Sequence, residues 1–176
     1  MRVSMFRFLL VLVFSVVGLT GCVTMPTTTD GAALKAKQGL LVFHVTSNAD
    51  AGLSYGDYAQ DSTASRQREY WIGPQGQFRF AAGEMFYVVP LDEGDYMFGK
   101  FTVGNKFAWL QSTNRFKVNA NAITYIGHIS VRVADNRFGL RAQDRELEMR
   151  TYLAEKYPEY FKKMGFQKAF AEFNLK

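Results

Sequence analysis

The chain has little with which to build a cross-linked or metal-held domain. One cysteine and two histidines occur in 176 residues, which excludes an internal disulfide, a cysteine-rich zinc site and a C-x-x-C redox centre. No HxH, HExxH, Walker-type, dinucleotide-binding or lysine-nucleophile motif is present. Charge is sparse as well: 21 Lys and Arg stand against 16 Asp and Glu, and charged residues make up 21% of the chain. No internal repeat or low-complexity tract is visible. Aromatic residues reach 15%, enough apolar material for one packed domain of ordinary size and too much for bulk disorder.

The lone cysteine stands at an informative place. Arg2 and Arg7 precede an uncharged apolar run over residues 8–17, followed by Gly18-Leu19-Thr20-Gly21-Cys22. This is the order of a secretory signal, and the run is well short of the roughly 20 apolar residues that span a bilayer. Leu19-Thr20-Gly21-Cys22 resembles the lipobox of bacterial lipoproteins. That resemblance implies lipidation of the Cys22 thiol, typically with palmitate among the acyl chains, and cleavage just before it. With Val23 rather than Asp after the cysteine, it also implies the outer membrane, on its periplasmic side. Two or three acyl chains anchor a protein stably where one binds only marginally. Loss of Arg2 and Arg7 with the signal takes the formal charge from +5 to +3, near neutrality, so the basic pI is no nucleic-acid signature. The densest arginine stretch, Arg132, Arg137, Arg141, Arg145 and Arg150, is interleaved with Asp135, Asp144, Glu146 and Glu148 and reads as a solvated, salt-laced surface.

Composition divides the chain into a signal over 1–21, a lipidated tether over 22–38, a β-sandwich over 39–141 and C-terminal helices of the same domain over 142–176. The Thr-rich stretch 23–37 reads as flexible, with a coil span of roughly 20–25 Å and a full extension of roughly 50 Å. Strands are expected at 40–46, 70–72, 77–80, 84–89, 96–103, 107–110, 115–118 and 123–133. A long polar loop over 47–67 separates the first two, with at most a short extended piece around 53–58. Gly73-Pro74-Gln75-Gly76 and the stretch Pro90-Leu91-Asp92-Glu93-Gly94-Asp95 read as hairpin turns. Seven or eight strands at this spacing give a mainly β, α+β fold: an antiparallel sandwich with helices packed on it. Asp144 is placed to cap a helix with Glu146 and Glu148 in its first turn and Leu147, Arg150, Leu153, Ala154 and Tyr157 on its inner face. Pro158 ends that helix and suits the first position of a second. A break at Gly165 then allows Tyr160, Phe161 and Met164 on one side, and Phe166, Ala169, Phe170 and Phe173 on another, to be buried from two directions.

Gly52-Leu53-Ser54-Tyr55-Gly56 matches the G-x-S-x-G pattern of a hydrolase elbow, with His128 and Asp92 as conceivable partners. The following residues offer no apolar helix stripe, and that chemistry needs a helix after the serine. His44 and His128 fall in expected strands on the more polar parity, too few to hold a metal alone. Asp92, Glu93 and Asp95 lack the spacing of a calcium loop. No catalytic residue, metal site or cofactor is therefore assigned. The sheet aromatics Phe78, Phe80, Phe86, Phe98, Phe101, Phe107, Trp109, Phe116 and Tyr125 read as core. They occur on both parities, so one outer face must be covered, and Phe166, Phe170 and Phe173 are the natural cover. Left uncovered, those three would form a partner surface.

The segments Tyr87-Val88-Val89-Pro90-Leu91-Asp92-Glu93-Gly94-Asp95-Tyr96, Phe116-Lys117-Val118 and Ile123-Thr124-Tyr125-Ile126-Gly127 are similar to those of bacterial lipoproteins with a prealbumin-like, or carboxypeptidase-regulatory-like, β-sandwich. The resemblance implies a fold and no activity. The expectation is a lipid-anchored envelope protein that is not an enzyme, acting as a structural or interaction module for a protein or cell-wall partner and not for nucleic acid. A small-ligand or lipid binder using an apolar cleft between sheet and helices is the alternative, and a hydrolase at Ser54 the third.

Overall fold

The computed structural model describes residues 27–61, 68–110, 115–135 and 137–173, with residues 59–61 and 68–74 described in backbone only. Cys22 and the rest of the signal lie outside them. Among the described residues, ten strands form two five-stranded sheets, as the β-sandwich expectation requires. In chain order they are β1 (Gln38–Ser47), β2 (Ala51–Asp61), β3 (Arg68–Phe80), β4 (Gly83–Asp92), β5 (Gly94–Val103), β6 (Lys106–Trp109), β7 (Arg115–Val118), β8 (Ala122–Ala134) and β9 (Arg137–Gln143). Helices α1 (Glu146–Lys156) and α2 (Pro158–Lys163) follow, then β10 (Gly165–Lys168). One sheet runs β4-β1-β8, and the far edge of β8 is shared by β10 and β9; the other runs β3-β2-β5, with the edge of β5 shared by β6 and β7. The β1–β8 and β8–β10 pairs are parallel.

Several local expectations fail, each for a physical reason. The described part of the polar loop after β1 is mostly strand: β2 carries Leu53 and Tyr55 into the core while Gly52, Ser54 and Gly56 alternate with them. Gly73-Pro74-Gln75-Gly76 does not turn the chain. Tyr55 is paired with Gly76 and Asp57 with Ile72, so Gly73, Pro74 and Gln75 bulge opposite Gly56 within one long strand, a place where a proline lacking its N–H is tolerated. Strands β4 and β5 are not a hairpin either. The chain changes sheets at Glu93, held there by the Glu93 N–H to the Lys37 carbonyl (2.7 Å) and the Tyr96 hydroxyl to the Asp92 carbonyl (2.8 Å).

The sheets enclose an aromatic core. Phe43 stacks on Tyr87 with centroids 4.7 Å apart and meets Phe78 edge-on at 4.9 Å, and Tyr55 stacks on Phe78 at 4.8 Å. Such pairs add about 0.5–1.5 kcal/mol each to their area burial. A register shift in β5 next to Gly99 lets Phe98 and Phe101 both face inward. Phe107 and Trp109, expected in the core, point out on either side of buried Ala108 and are about half exposed.

A second apolar layer lies on the outer face of the β4-β1-β8 sheet. Leu40, Val42, Val88, Ile123 and Tyr125 are covered there by Met149, Leu153, Tyr157 and Tyr160. The inner face of α1 is therefore Met149 and Leu153, whereas Leu147, expected to be inward, is 78% exposed. Asp144 does accept the Glu146 N–H (3.2 Å), and Pro158 does open the second helix. From Gly165 to Phe173 the chain is not helical. It adds β10 along β8 and continues with the Ala169 and Ala171 N–H groups bonded to the Tyr125 and Ile126 carbonyls.

The expected tether is also docked where it is described. The Thr28 N–H reaches the Val88 carbonyl (2.9 Å), Tyr157 and Tyr160 donate their hydroxyls to the Thr28 and Ala32 carbonyls, and Leu34 packs on the outer layer. The Asp30 carboxylate accepts the Glu159 and Tyr160 N–H groups at 3.1 and 3.2 Å, capping α2 from a residue distant in sequence. Removing such a cap costs about 0.5–2 kcal/mol. Asp30→Ala is expected to lower chemical-denaturation stability by about 1 kcal/mol and to expose residues 27–34 to protease. An unchanged cleavage pattern would show that the docking does not depend on this carboxylate.

Candidate functional site

One glycine decides what the outer face of β8 presents. Val42 is paired with Tyr125 and His44 with His128, so β8 spends three residues where β1 spends two. The extra residue is Gly127, at φ +111°, a conformation that side chains rarely adopt. A Cβ there would sit 2.9 Å from the Phe170 ring and 3.3 Å from the Gln143 carbonyl oxygen. Before this bulge Ile123 and Tyr125 face the helices and Ile126 faces the sandwich core; after it Ile129 and Val131 face the core. His128, Ser130 and Arg132 are thereby brought to the outer face.

Two rows of side chains cross the sheet beyond the helices. Phe86, His44, His128 and Gln143 occupy paired positions on β4, β1, β8 and β9, followed by Glu84, Thr46, Ser130 and Arg141. In the first row the rings stack: Tyr152 of α1 on Phe86, Phe86 on His44 and His44 on His128, with centroids 4.1, 4.2 and 4.3 Å apart. The histidines, expected at the surface or hydrogen-bonded, are 1% and 2% exposed. His44 Nε2 lies 2.8 Å from a Glu84 oxygen, and Nδ1 lies 3.7 Å from one of Glu148. His128 Nε2 lies 2.9 Å from the Thr46 hydroxyl, and its Nδ1 is buried with no hydrogen-bond partner.

Beside His128 the face opens into a groove of about 630 Å³ lined by Thr46, His128, Ser130, Arg132, Gly139, Arg141, Gln143 and Arg145. The salt-laced reading of the arginine stretch holds for Arg145 and Arg150 and not for Arg132 and Arg141. Asp144 and Glu146 are drawn to Lys168 (2.7 Å each), and Glu146 also to Arg150 (2.6 Å), whose guanidinium lies 3.9 Å over Phe166. Arg145 keeps a 3.5 Å contact with Glu148. Arg132 and Arg141 have no ion-pair partner among the described residues. Asp144, Glu146 and Glu148 sit on the helix side and Asp135 in the turn between β8 and β9, while Arg132 and Arg141 line the groove.

The other candidates disperse. Ser54 lies mid-strand in β2 between core residues Leu53 and Tyr55, so it faces the outside of the other sheet, with the whole sandwich between it and His128. Asp92, at the sheet crossover, accepts a hydrogen bond from Gln38. Among the described residues no cluster of three or more His, Cys, Asp or Glu is arranged to hold a metal. Phe166 packs beside Tyr125 and Phe161, and Phe173 beside Phe98. Phe170 alone of the three is exposed, at 37%, lying across Gly127. No family model matches the chain, and no curated protein matches it in sequence.

Electrostatics keep both imidazoles neutral near pH 7. Burial lowers the pKa of His44, with Glu84 opposing it; burial, then His44 and Arg145, bring that of His128 to about 4, against the pull of Glu148 and Glu84. The unfolded chain, with an ordinary value of 6.5, takes up the proton first as pH falls, so stability contributed above pH 6.5 is lost on the way to pH 4. The His128 share is at most about 3 kcal/mol. Thermal unfolding from pH 7 to 4.5 is expected to show a falling midpoint, with a shallower fall in His128→Gln. Parallel curves for the two proteins would contradict a buried neutral His128.

Proposed function

We propose that this is a bacterial envelope lipoprotein, lipidated at Cys22, whose sandwich is a binding module presenting its basic groove to an envelope partner. The observation that carries the reading is the docking of residues 27–34. Only residues 23–26 stand between Cys22 and the folded body, and four residues reach at most roughly 15 Å. An anchor at Cys22 would thus hold the domain against the headgroups instead of on a long leash, raising its effective concentration for a partner at that surface. The periplasmic face of an outer membrane suits a lipobox followed by Val23.

Binding rather than catalysis is supported by the dispersal of Ser54, His128 and Asp92 over separate faces and by the groove's arginines. The ligand-binding alternative finds its opening in the same groove. The space between sheet and helices is filled by Leu40, Val42, Ile123, Met149 and Leu153, all fully buried, and a lipid chain would have to displace them.

In a bacterial host, clickable palmitate is expected to label the wild-type chain, and Cys22→Ala to remain unlabelled and leave the membrane fraction. A photo-crosslinking residue at Ala134, exposed beside Arg132 and Gly139 at the end of the groove, is expected to capture an envelope component. An unlabelled wild type would refute the anchor. Crosslinks from position 109 and none from 134 would refute the groove as the working surface.

A further inference from the structure

We propose that the groove is a site for a phosphate group, on a phosphomonoester or a phosphorylated headgroup, seated over Ser130 and Gly139. The inference rests on the groove being the working surface and is independent of the lipid at Cys22.

Strand register carries it. Arg132 is paired with Gly139, and Ser130 with Arg141, so the two arginines stand at opposite corners of a four-residue patch on β8 and β9. Neighbouring strands lie about 4.8 Å apart, and same-face residues along a strand about 6.7 Å apart. Both guanidiniums can therefore reach over the centre of that patch. The remaining corners are a hydroxyl and a glycine with open space where a side chain would stand. A β-branched residue, which β propensity favours on a strand, would close the well.

The adjoining pair, His128 and Gln143, extends the well toward Arg145. The Thr46 hydroxyl and His128 Nε2 are hydrogen-bonded at 2.9 Å; with the hydroxyl as donor, the proton of neutral His128 rests on Nδ1, which is fully enclosed and has no partner among the described residues. Ser130 and Gln143 add further donors from the floor. One bidentate guanidinium largely satisfies the two oxygens of a carboxylate. Two guanidiniums without an ion-pair partner among the described residues, a third at the rim, a hydroxyl and an amide line one groove and together suit an acceptor with three or more terminal oxygens and up to two negative charges. A volume of about 630 Å³ leaves room for the sugar or glycerol that bears the phosphate.

The full-length chain in uncharged maltoside micelles is titrated with inorganic phosphate, with acetate as control, by calorimetry and by the side-chain nitrogen resonances of His128. Saturable phosphate binding at least about tenfold tighter than acetate is expected, together with a shift at His128 Nδ1. Arg132→Gln and Arg141→Gln should each weaken binding about tenfold. Gly139→Val should abolish it, all three variants keeping the wild-type melting temperature. Glycerol phosphate in solution and phosphatidate doped into the micelles then separate a soluble source from a headgroup, and binding of either supports the site. Equal affinity for acetate, or phosphate binding unchanged in Arg132→Gln and Arg141→Gln, overturns it. If crosslinking from position 134 persists in that event, the phosphate site falls and the interaction reading stands.

Discussion

The extra residue at Gly127 is the constraint on which both sides of the helix-covered sheet depend. β8 has to supply Ile126, Ile129 and Val131 to the aromatic core and Ile123 and Tyr125 to the layer under the helices. A strand with unbroken alternation from Ile123 would send His128, Ser130 and Arg132 into the sandwich, where an unpaired guanidinium costs several kcal/mol. The bulge reverses the parity once. It does so where the chain changes partners, since β10 lies along β8 up to Tyr125 and β9 begins at His128. The Phe170 ring covers the resulting gap, which ties the C-terminal segment to the position of the histidine.

Electrostatics and packing are coupled through the ring stack. His44 is held between Phe86 and His128, and Phe86 is in turn stacked on Tyr152 of α1. The helix is thus joined to the groove by four rings in succession, with acids at one end near His44 and arginines at the other beside His128. A burial-lowered imidazole next to arginines adds no charge of its own near neutrality, so the field in the groove is set by the guanidiniums.

What could be read from the sequence was local and unambiguous: the alternation in β1, the proline that starts α2, the acid before α1 and the two-sided distribution of aromatics that required a covered outer face. What was missed depended on distant partners. Gly73-Pro74-Gln75-Gly76 carries strong turn chemistry, yet pairing with β2 on both sides of it makes a bulge the better solution. Pro90 to Asp95 has the composition of a hairpin tip, but β1 and β2 claim the flanking strands for opposite sheets. The groove was hidden for the same reason. Residues 132–150 alternate basic and acidic along the chain, and the strand-to-helix transition at Asp144 takes Asp144, Glu146 and Glu148 away from Arg132 and Arg141 while Asp135 stays in the β8–β9 turn. Phe166 to Phe173 shows an apparent helical period because β10 and the segment after it bury side chains on both faces, which removes the strict alternation of a strand.

The edge of β8 shared by β9 and β10 also dictates an order of assembly. β1, near the start of the domain, pairs in parallel with one edge of β8 some eighty residues later, and the opposite edge, begun by β9, is completed by Gly165–Lys168 and Ala171. Loops of that length are slow to close. The bulge stays uncovered until Phe170 arrives over Gly127, so this sheet is completed only once residues 165–171 are free to dock. Until then the half of β8 that faces the helices has one open edge.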